Sequence, residues 1–232
     1  NLPWLSFGKL NISYGTTGSD QIGDNLYFAT YGSLARTYQN LPVLALSRIA
    51  TPDLHWEETN KLNIGLKTGF FKDKVLFEVN YANNRSSDQL LSYLVPYYAS
   101  GFGTVSSNFP AVVRNTSWEF LLNTTNLSTK NFNWTSSLNV TVPKNTLVSF
   151  PDLASSSYAS RLVIGESVNI SRQFHFLGVD PATGQYVYAD SKGNPTMNPN
   201  SATDYVSVDL NPKFYGGFQN TFTYKNFSLD FL

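Results

Sequence analysis

Residues Leu54–Tyr81, with the sequence LHWEETNKLNIGLKTGFFKDKVLFEVNY, decide the fold. Apolar side chains recur at every second position on both sides of a break at Phe71–Lys74. The apolar set is Leu62, Ile64, Leu66, Phe70, Val75, Phe77, Val79 and Tyr81, and the polar positions between them include Lys61, Asn63, Lys67, Glu78 and Asn80. A period of two indicates β-strands with one apolar and one polar face. The stretch therefore predicts two strands joined by a tight turn at 71–74.

The length of the two arms leaves two architectures open. Each arm keeps the alternation for about ten residues, whereas strands of soluble proteins usually have about five or six. A tilted strand that crosses a bilayer needs about nine to eleven. The hairpin thus fits either a long soluble hairpin or the wall of a transmembrane barrel.

Further alternating segments predict strands at Trp4–Tyr14, from Trp118 to a turn at 128–131, and at Phe132–Val142, Phe214–Tyr224 and Phe227–Phe231. Between them lie three long stretches predicted as largely irregular. These are residues 15–52 with a short strand at Val43–Arg48, residues 87–115, and residues 143–212 with a short two-stranded excursion.

Long and short connections therefore alternate strictly along the chain. Transmembrane barrels have short periplasmic turns and long extracellular loops, and a soluble meander has no physical reason to keep its long loops at one end. The alternation favours an all-β, antiparallel transmembrane barrel segment of about seven strands. On this interpretation Leu62, Ile64, Leu66, Val75, Phe77 and Val79 face lipid, and Lys61, Asn63, Lys67, Glu78 and Asn80 face the lumen.

Composition agrees with this prediction. Of the 232 residues, 15% are aromatic and only 14% are charged, against about 25% charged in average soluble proteins. The 16 basic residues balance the 16 acidic ones, and no nucleic-acid motif is present, so the sequence predicts no nucleic-acid partner. The absence of cysteine excludes disulfides and thiolate metal sites.

The sequence holds no catalytic constellation, so the chain is predicted not to be an enzyme. His55 and His175, the two histidines, are far apart in sequence, and Glu57 and Glu58 point to opposite faces of a strand. No cofactor is predicted.

Candidate ligand-binding residues are aromatic side chains of two long connections. They are Tyr93, Tyr97, Tyr98 and Phe102 in one, and Tyr186 and Tyr188 in the other. Aromatic rings stack on sugars, but anchoring at the membrane interface or contact with a partner protein explains the same residues. Sugar binding, interface anchoring and partner contact all remain open at this point.

Seven segments in order resemble the SusC/RagA family of TonB-dependent outer-membrane transporters of Bacteroidetes-type bacteria. They are LHWEETNKLNIGL, FFKDKVLFEVNY, NTSWEFLLNTTNL, FNWTSSLNVTVPKNTLVSF, VIGES, GVDPATGQYVYADSKGNP and NPKFYGGFQNTFTYKNFSLDF. Each motif alone is weak, but their order and spacing fit the C-terminal half of the family's barrel. The resemblance departs at residues 190–194, where Lys192 stands in a loop that is often acidic in the family. Because lysine offers no oxygen to a cation, no metal site is predicted.

The resemblance implies a 22-stranded barrel in the bacterial outer membrane, with an N-terminal plug, a segment that meets TonB and a SusD-like lipoprotein lid. It implies import of oligosaccharides or peptides. Residues 1–232 are then expected to be part of a single barrel domain, with the plug and the closing strands outside these residues. The alternative function is that of a secreted all-β glycan-binding module.

Overall fold

The computed structural model describes residues 3–19 and 26–232, in which regular structure is almost entirely antiparallel β-sheet. The strands are β1 (Leu5–Ser19), β2 (Thr30–Tyr38), β3 (Leu41–Arg48), β4 (Glu57–Phe70), β5 (Val75–Ser87), β6 (Gln89–Leu94), β7 (Thr104–Phe109), β8 (Val112–Ser128), β9 (Phe132–Ser149), β10 (Ile170–Phe174), β11 (Phe176–Val179), β12 (Tyr186–Ala189), β13 (Pro195–Thr196), β14 (Tyr205–Asp209), β15 (Tyr215–Tyr224) and β16 (Phe227–Phe231). The helices in these ranges are one α-helical turn, α1 (Tyr97–Ser100), and a 3-10 turn at Leu153–Ser155. None of the described helices has the length and hydropathy needed to traverse a membrane.

Seven long strands form one sheet in the order β1-β4-β5-β8-β9-β15-β16, and every pairing in it is antiparallel. At one end of the sheet the connections are short, comprising residues 71–74, 129–131 and 225–226. At the other end they are long, comprising residues 20–56, 88–111 and 150–214. The predicted fold class, number of sheet strands and alternation of connection lengths are confirmed.

The strand register separates two faces of the sheet. Ile64 of β4 lies opposite Ile12 of β1 and Tyr81 of β5, and the same row continues through Trp118 and Val142. The apolar face, defined by such rows, carries Leu10, Ile12, Leu62, Ile64, Leu66, Phe77, Val79, Phe120, Leu122, Leu138, Val140 and Phe218. The polar face carries Lys9, Asn11, Lys61, Asn63, Lys67, Glu78, Asn80, Glu119, Asn123, Ser137, Asn139 and Gln219.

Aromatic rings concentrate at two levels of the apolar face. The upper level, toward the long connections, holds Tyr81 and Trp118, whose ring centroids are 4.8 Å apart. The lower level, next to the short turns, includes Trp134 stacked on Phe222 at 5.4 Å. Val142, which pairs with Trp118, and Trp134 lie eight residues apart on β9, or about 26 Å along a strand. At the strand tilt of about 40° usual in outer-membrane barrels this is about 20 Å of height, close to the apolar band, about 25 Å tall, that lies between the two aromatic levels of such barrels.

Local backbone geometry explains two features of the hairpins. Phe71, Lys72 and Asp73 all have positive φ, at 53°, 57° and 63°, which gives the β4–β5 turn its tight reversal. Gly216 of β15 lies opposite Val140, and a Cβ added to it would overlap the carbonyl oxygen of Asn139. The missing side chain of Gly216 therefore relieves backbone crowding between β15 and β9.

The sheet strands extend further toward the long connections than the sequence alternation predicts. β1 continues to Ser19, β8 begins at Val112, and β9 continues through Pro143 to Ser149. Proline is normally confined to strand edges because it cannot donate to a second neighbour. Since β15 pairs with β9 only up to Thr141, Pro143 lies where β9 has lost that neighbour, and the strand continues.

The long connections contain more strand than predicted. The predicted Val43–Arg48 strand lies within β3, which pairs with β2, and the predicted excursion is formed by β11 and β12. The pairs β6–β7 and β10–β14 were predicted as irregular. These short strand pairs have no consistently buried face, so their sequences need not alternate with period two. Residues 20–25 of the first predicted loop lie outside the described residues.

A small hydrophobic core lies at the long-connection end of the polar face. It contains Phe109, Ala111, Val113, Leu147 and Phe150, and Leu153, Tyr158 and Leu162 pack against it. Val113 and Leu147 face each other on β8 and β9, while the remaining side chains come from the long connections. The connections therefore fold inward over the polar face.

Candidate functional site

A cavity of about 660 Å³, here the mouth cavity, lies where the connection after β9 folds over the polar face. Its lining residues are Gln89, Phe109, Val113, Asn115, Asn145, Tyr158, Ser160, Arg161, Leu162, Val168, Asn169, Ile170, Ser171 and Arg172. The strands β8 and β9 supply its floor, and residues 158–172 supply its wall. A cavity of this size with a few polar groups has the dimensions of a small-ligand site.

Two arginines give the mouth cavity its charge. Arg172 donates from Nη1 to the carbonyl oxygen of Ser160 at 3.5 Å, and its guanidinium lies 5.7 Å from the ring centroid of Tyr205. These contacts orient the half-buried side chain. Arg161 is exposed on the same wall. Among the residues that the structure describes, no aspartate or glutamate lines the cavity, so it favours an anionic group on whatever binds there.

A network of asparagines fixes the inward-folded connection to the strands. Asn145 donates from Nδ2 to Asn115 Oδ1 at 2.6 Å and accepts at Oδ1 from the Val168 main-chain N–H at 2.8 Å. Ser167, which is 3% exposed, donates to the same Oδ1 at 3.2 Å and accepts from Asn211 Nδ2 at 2.8 Å. A neighbouring cavity of about 580 Å³ shares Asn115 and Asn145 with the mouth cavity. Together the two cavities form a polar surface.

The predicted aromatic candidates lie elsewhere on the long connections. Tyr97 and Tyr98 are exposed on α1, with ring centroids 6.2 Å apart, and Phe102 is half-buried. Tyr93 belongs to β6, but its side chain lies outside the described residues. Of the three described side chains, none lines the mouth cavity.

The second aromatic pair divides into a packing residue and an exposed one. Tyr188 contacts Phe174 and Phe176, with centroid distances of 5.7 and 6.0 Å. Tyr186 is exposed and meets Phe176 edge-on at 5.7 Å. Of the two, only Tyr186 leaves a ring face open to a ligand. Their role in ligand binding stays a prediction.

The carboxylates of Asp190 and Asp204 accept main-chain hydrogen bonds that stabilise the loop at residues 190–204. Asp190 accepts main-chain hydrogen bonds from Asn194 at 2.7 Å and Lys192 at 2.9 Å, and Asp204 accepts from Asn200 at 2.7 Å and Ser191 at 3.0 Å. The Asn194 N–H lowers the pKa of Asp190, and the Asn200 N–H lowers that of Asp204. These oxygens are occupied by N–H donors, and no cluster of potential metal ligands occurs among the described residues.

His55 helps to join two long connections. Its Nδ1 lies 2.7 Å from the Asp53 carbonyl oxygen, and its Nε2 lies 3.5 Å from Asp88 Oδ1. The Asp53 carbonyl, followed by the Asp88 carboxylate, raises the pKa of the imidazole. Asn108 bridges the same segments by donating to the carbonyl oxygens of His55 and Asp88. His55 thus has a structural role, in which it helps to hold these two connections together.

Sequence reasoning missed Arg161 and Arg172. Both fall in the stretch 143–212 that was predicted as irregular, and isolated arginines there carry no periodic signal. Asn115, Asn133 and Asn139 lie on the polar face of the sheet. Asn226 lies in the β15–β16 turn.

Comparison with solved structures extends the likeness from local pattern to the whole sheet. The RagAB peptide transporter superposes with a TM-score of 0.80 at 26% identity, covering 99% of this chain and 26% of the matched one. The RagAB peptide importer in its closed-closed state gives 0.81 at 27% identity, covering 98% and 26%. TonB-dependent receptor P26 of Formosa agariphila is 34% identical over 96% of this chain and 25% of that protein. Along almost its whole length, the chain is similar to TonB-dependent receptors that include SusC and to RagAB.

A further relative is the TonB-dependent receptor SusC of Bacteroides thetaiotaomicron, which is 25% identical over 98% of the chain and 24% of that protein. The chain spans about a quarter of the length of the curated relatives it matches, consistent with the predicted C-terminal segment. No protein-family model matches it. Its likeness to the barrel of these proteins makes the chain an outer-membrane barrel segment. Its apolar face is accordingly the lipid-facing side, and its polar face lines the lumen.

Proposed function

We propose that the complete protein imports oligosaccharides or peptides across the outer membrane by TonB-dependent transport. This segment contributes barrel wall and extracellular loops, within a single barrel domain that other parts of the protein complete. The observation that carries the proposal is the pairing of a lipid-facing apolar band with a polar inner face, over which the long connections fold to form the mouth cavity. A transporter needs both surfaces on one wall.

The partners of the proposed transporter follow from the same family relationship. A SusD-like lipoprotein would close over the extracellular mouth, and TonB would act through an N-terminal part that includes the plug. Substrate would bind at the mouth, the lid would close, and movement of the plug would open the lumen. The exposed rings of Tyr97, Tyr98 and Tyr186 are placed on extracellular connections, where they would meet either the substrate or the lid.

The mouth cavity is the proposed contact of this segment with substrate. Arg161 and Arg172 present guanidinium groups to a lining whose described residues include no carboxylate, and these groups would bind a carboxylate of a peptide or of an acidic sugar. The amides of Asn115, Asn145 and Asn169 would supply hydrogen bonds to hydroxyl or peptide groups.

Uptake by intact cells tests the proposal. Wild-type cells, a deletion strain and the variant R161Q/R172Q are given labelled oligosaccharides in one experiment and labelled peptides in another. Deletion should abolish energy-dependent uptake of one class, and R161Q/R172Q should reduce it about tenfold or more, as loss of two charged hydrogen bonds implies. Arg36→Gln, an exposed substitution on β2, serves as the matched control and should leave uptake unchanged.

Two results would overturn the proposal. The first is uptake of both classes by the deletion strain at the wild-type rate. The second is recovery of the complete protein as a folded monomer without detergent, which would favour the secreted glycan-binding module. Uptake that fails on deletion but is unaffected by R161Q/R172Q would overturn only the role of the mouth cavity.

A further inference from the structure

Three cations stand together on the lipid-facing side, above the upper aromatic level. Arg85 of β5 lies directly opposite Arg114 of β8, and Lys144 of β9 lies opposite Thr116, two positions along β8 from Arg114. Arg85 and Arg114 share the alternating positions of Tyr81 and Trp118, so they belong to the same face. All three side chains are exposed. We name Arg85, Arg114 and Lys144 the basic patch.

The basic patch is not neutralised by the chain itself. In the ranges 3–19 and 26–232, no carboxylate forms an ion pair with any of its members, and none of them makes a side-chain hydrogen bond. Glu58, on the same face of β4, accepts from Asn60 Nδ2 at 2.8 Å. Asp209 lines the smaller cavity on the lumen side, where it accepts from Asn211. Like charges directly opposite on neighbouring strands are destabilising, and a bound anion would relieve that repulsion.

The height of the basic patch above the upper aromatic level indicates which kind of anion it meets. Tyr81 and Trp118 mark the upper interface of the apolar band, and Arg85 lies four residues further along β5. Four residues span about 13 Å of strand, or about 10 Å of height at the tilt of about 40° usual in such barrels. The headgroup region on each side of the hydrocarbon core is about 5 to 8 Å thick. The long arginine side chains therefore reach the level of lipid phosphates.

We propose that the basic patch binds the phosphate groups of an outer-leaflet glycolipid and holds it against the outer wall of β5, β8 and β9. A guanidinium group donates two parallel hydrogen bonds to a phosphate. Arg85 and Arg114, on adjacent strands, can therefore bind one headgroup from two sides. The site is on the opposite face of the sheet from the mouth cavity, so it is independent of the transported substrate.

Native mass spectrometry of the complete protein in detergent, titrated with bisphosphorylated lipid A, tests the site. The wild type should bind the lipid, R85Q/R114Q should bind it about tenfold more weakly, and R85K/R114K should keep most of the affinity. The control K9Q/K61Q removes the same charge from the lumen face of the sheet and should bind like the wild type. Dephosphorylated lipid A should bind the wild type and R85Q/R114Q equally weakly.

Several outcomes would overturn the assignment. They are undiminished binding by R85Q/R114Q, an equal loss in K9Q/K61Q, or equal binding of phosphorylated and dephosphorylated lipid by the wild type. Displacement of lipid A by inorganic phosphate at an equal phosphate concentration would show a free-anion site instead. The lipid comparison uses wild-type protein alone, so it decides the matter even if R85Q/R114Q fails to fold.

Discussion

The indole Nε1 of Trp134 donates a hydrogen bond of 3.1 Å to Oδ1 of Asn220, an asparagine on the lipid-facing side of the sheet. Ser136 Oγ donates to the same oxygen at 2.7 Å and accepts from Asn126 Nδ2 at 2.6 Å. Asn126 lies at the irregularity between Thr125 and Leu127 in the β8–β9 register. Polar groups at this depth are tolerated because they satisfy one another.

Replacing Asn220 by alanine should therefore destabilise the complete protein by about 1–3 kcal/mol, since two donors lose their shared acceptor in a nearly water-free place. Asn220 is 4% exposed. Reversible denaturant unfolding into lipid vesicles would measure the change. Asn133→Ala, on the lumen face of β9, is the control and should cost less than about 0.5 kcal/mol. Equal costs for the two variants would contradict this account.

The two faces of β4 should respond differently to charge. Ile64 lies in the apolar band between Ile12 and Tyr81, so Ile64→Lys should cost about 2–4 kcal/mol near the midplane. Asn63→Lys should be tolerated, because its side chain faces the hydrated lumen. The same unfolding measurement compares the pair, and equally harmless substitutions would mean that the faces are assigned wrongly.

Gly216 and Gly217 should differ although they are neighbours. A Cβ at Gly216 meets the backbone of Asn139 and Val140, which cannot move without disturbing the β9–β15 ladder. Gly216→Ala should destabilise by about 1–3 kcal/mol, as overpacking does. At Gly217 the nearest atom is Leu232 Cδ1, 3.3 Å away at the end of a flexible side chain. Gly217→Ala should thus be milder, and the reverse order of stabilities would refute the steric argument.

Acidification should loosen the loop 190–204 selectively. Main-chain donors lower the pKa of Asp190 and Asp204, so their stabilisation is complete above the ordinary carboxyl value of about 3.9. It is lost as the pH falls through the lowered folded-state value. Amide hydrogen exchange of residues 190–204, followed between pH 7 and pH 2.5 after correction for intrinsic rates, should accelerate below pH 4.

A matched pair of variants checks the source of that effect. Asp204→Asn should remove much of the pH dependence near Asn200, because the amide cannot titrate. Asp152→Asn, whose carboxylate makes no hydrogen bond within the described residues, should leave the profile of the loop unchanged. Persistence of the full pH response in Asp204→Asn would assign it to another group.

The wall of the barrel was predictable from sequence because burial against lipid imposes period two on it. Leu66, Val79, Phe120 and Val140 must all be apolar for their row to exist, and a one-residue slip would reverse the faces. The ends of the strands were not predictable. Above the lipid no such constraint acts, so Ser19, Val112 and Ser149 extend strands without an alternating signal.

The mouth cavity was beyond sequence reasoning for a related reason. Arg161, Arg172 and Asn145 are brought together by the inward fold of one long connection, through contacts with no fixed sequence spacing. The aromatic candidates were predicted as ligand-binding residues because clustered tyrosines are conspicuous in a sequence. Tyr188, however, packs against Phe174.

Leu147 accepts a main-chain hydrogen bond from Gly165 at 2.9 Å and donates one to the carbonyl oxygen of Glu166 at 2.7 Å. Residues 165–166 thus take the place beside β9 that β15 leaves vacant beyond Thr141. Swinging this segment away on its own would leave both main-chain groups of Leu147 unpaired at a completely buried residue. The low-energy motion at this end of the barrel is one in which residues 165–166 and the adjoining ends of β8 and β9 move together as one rigid unit.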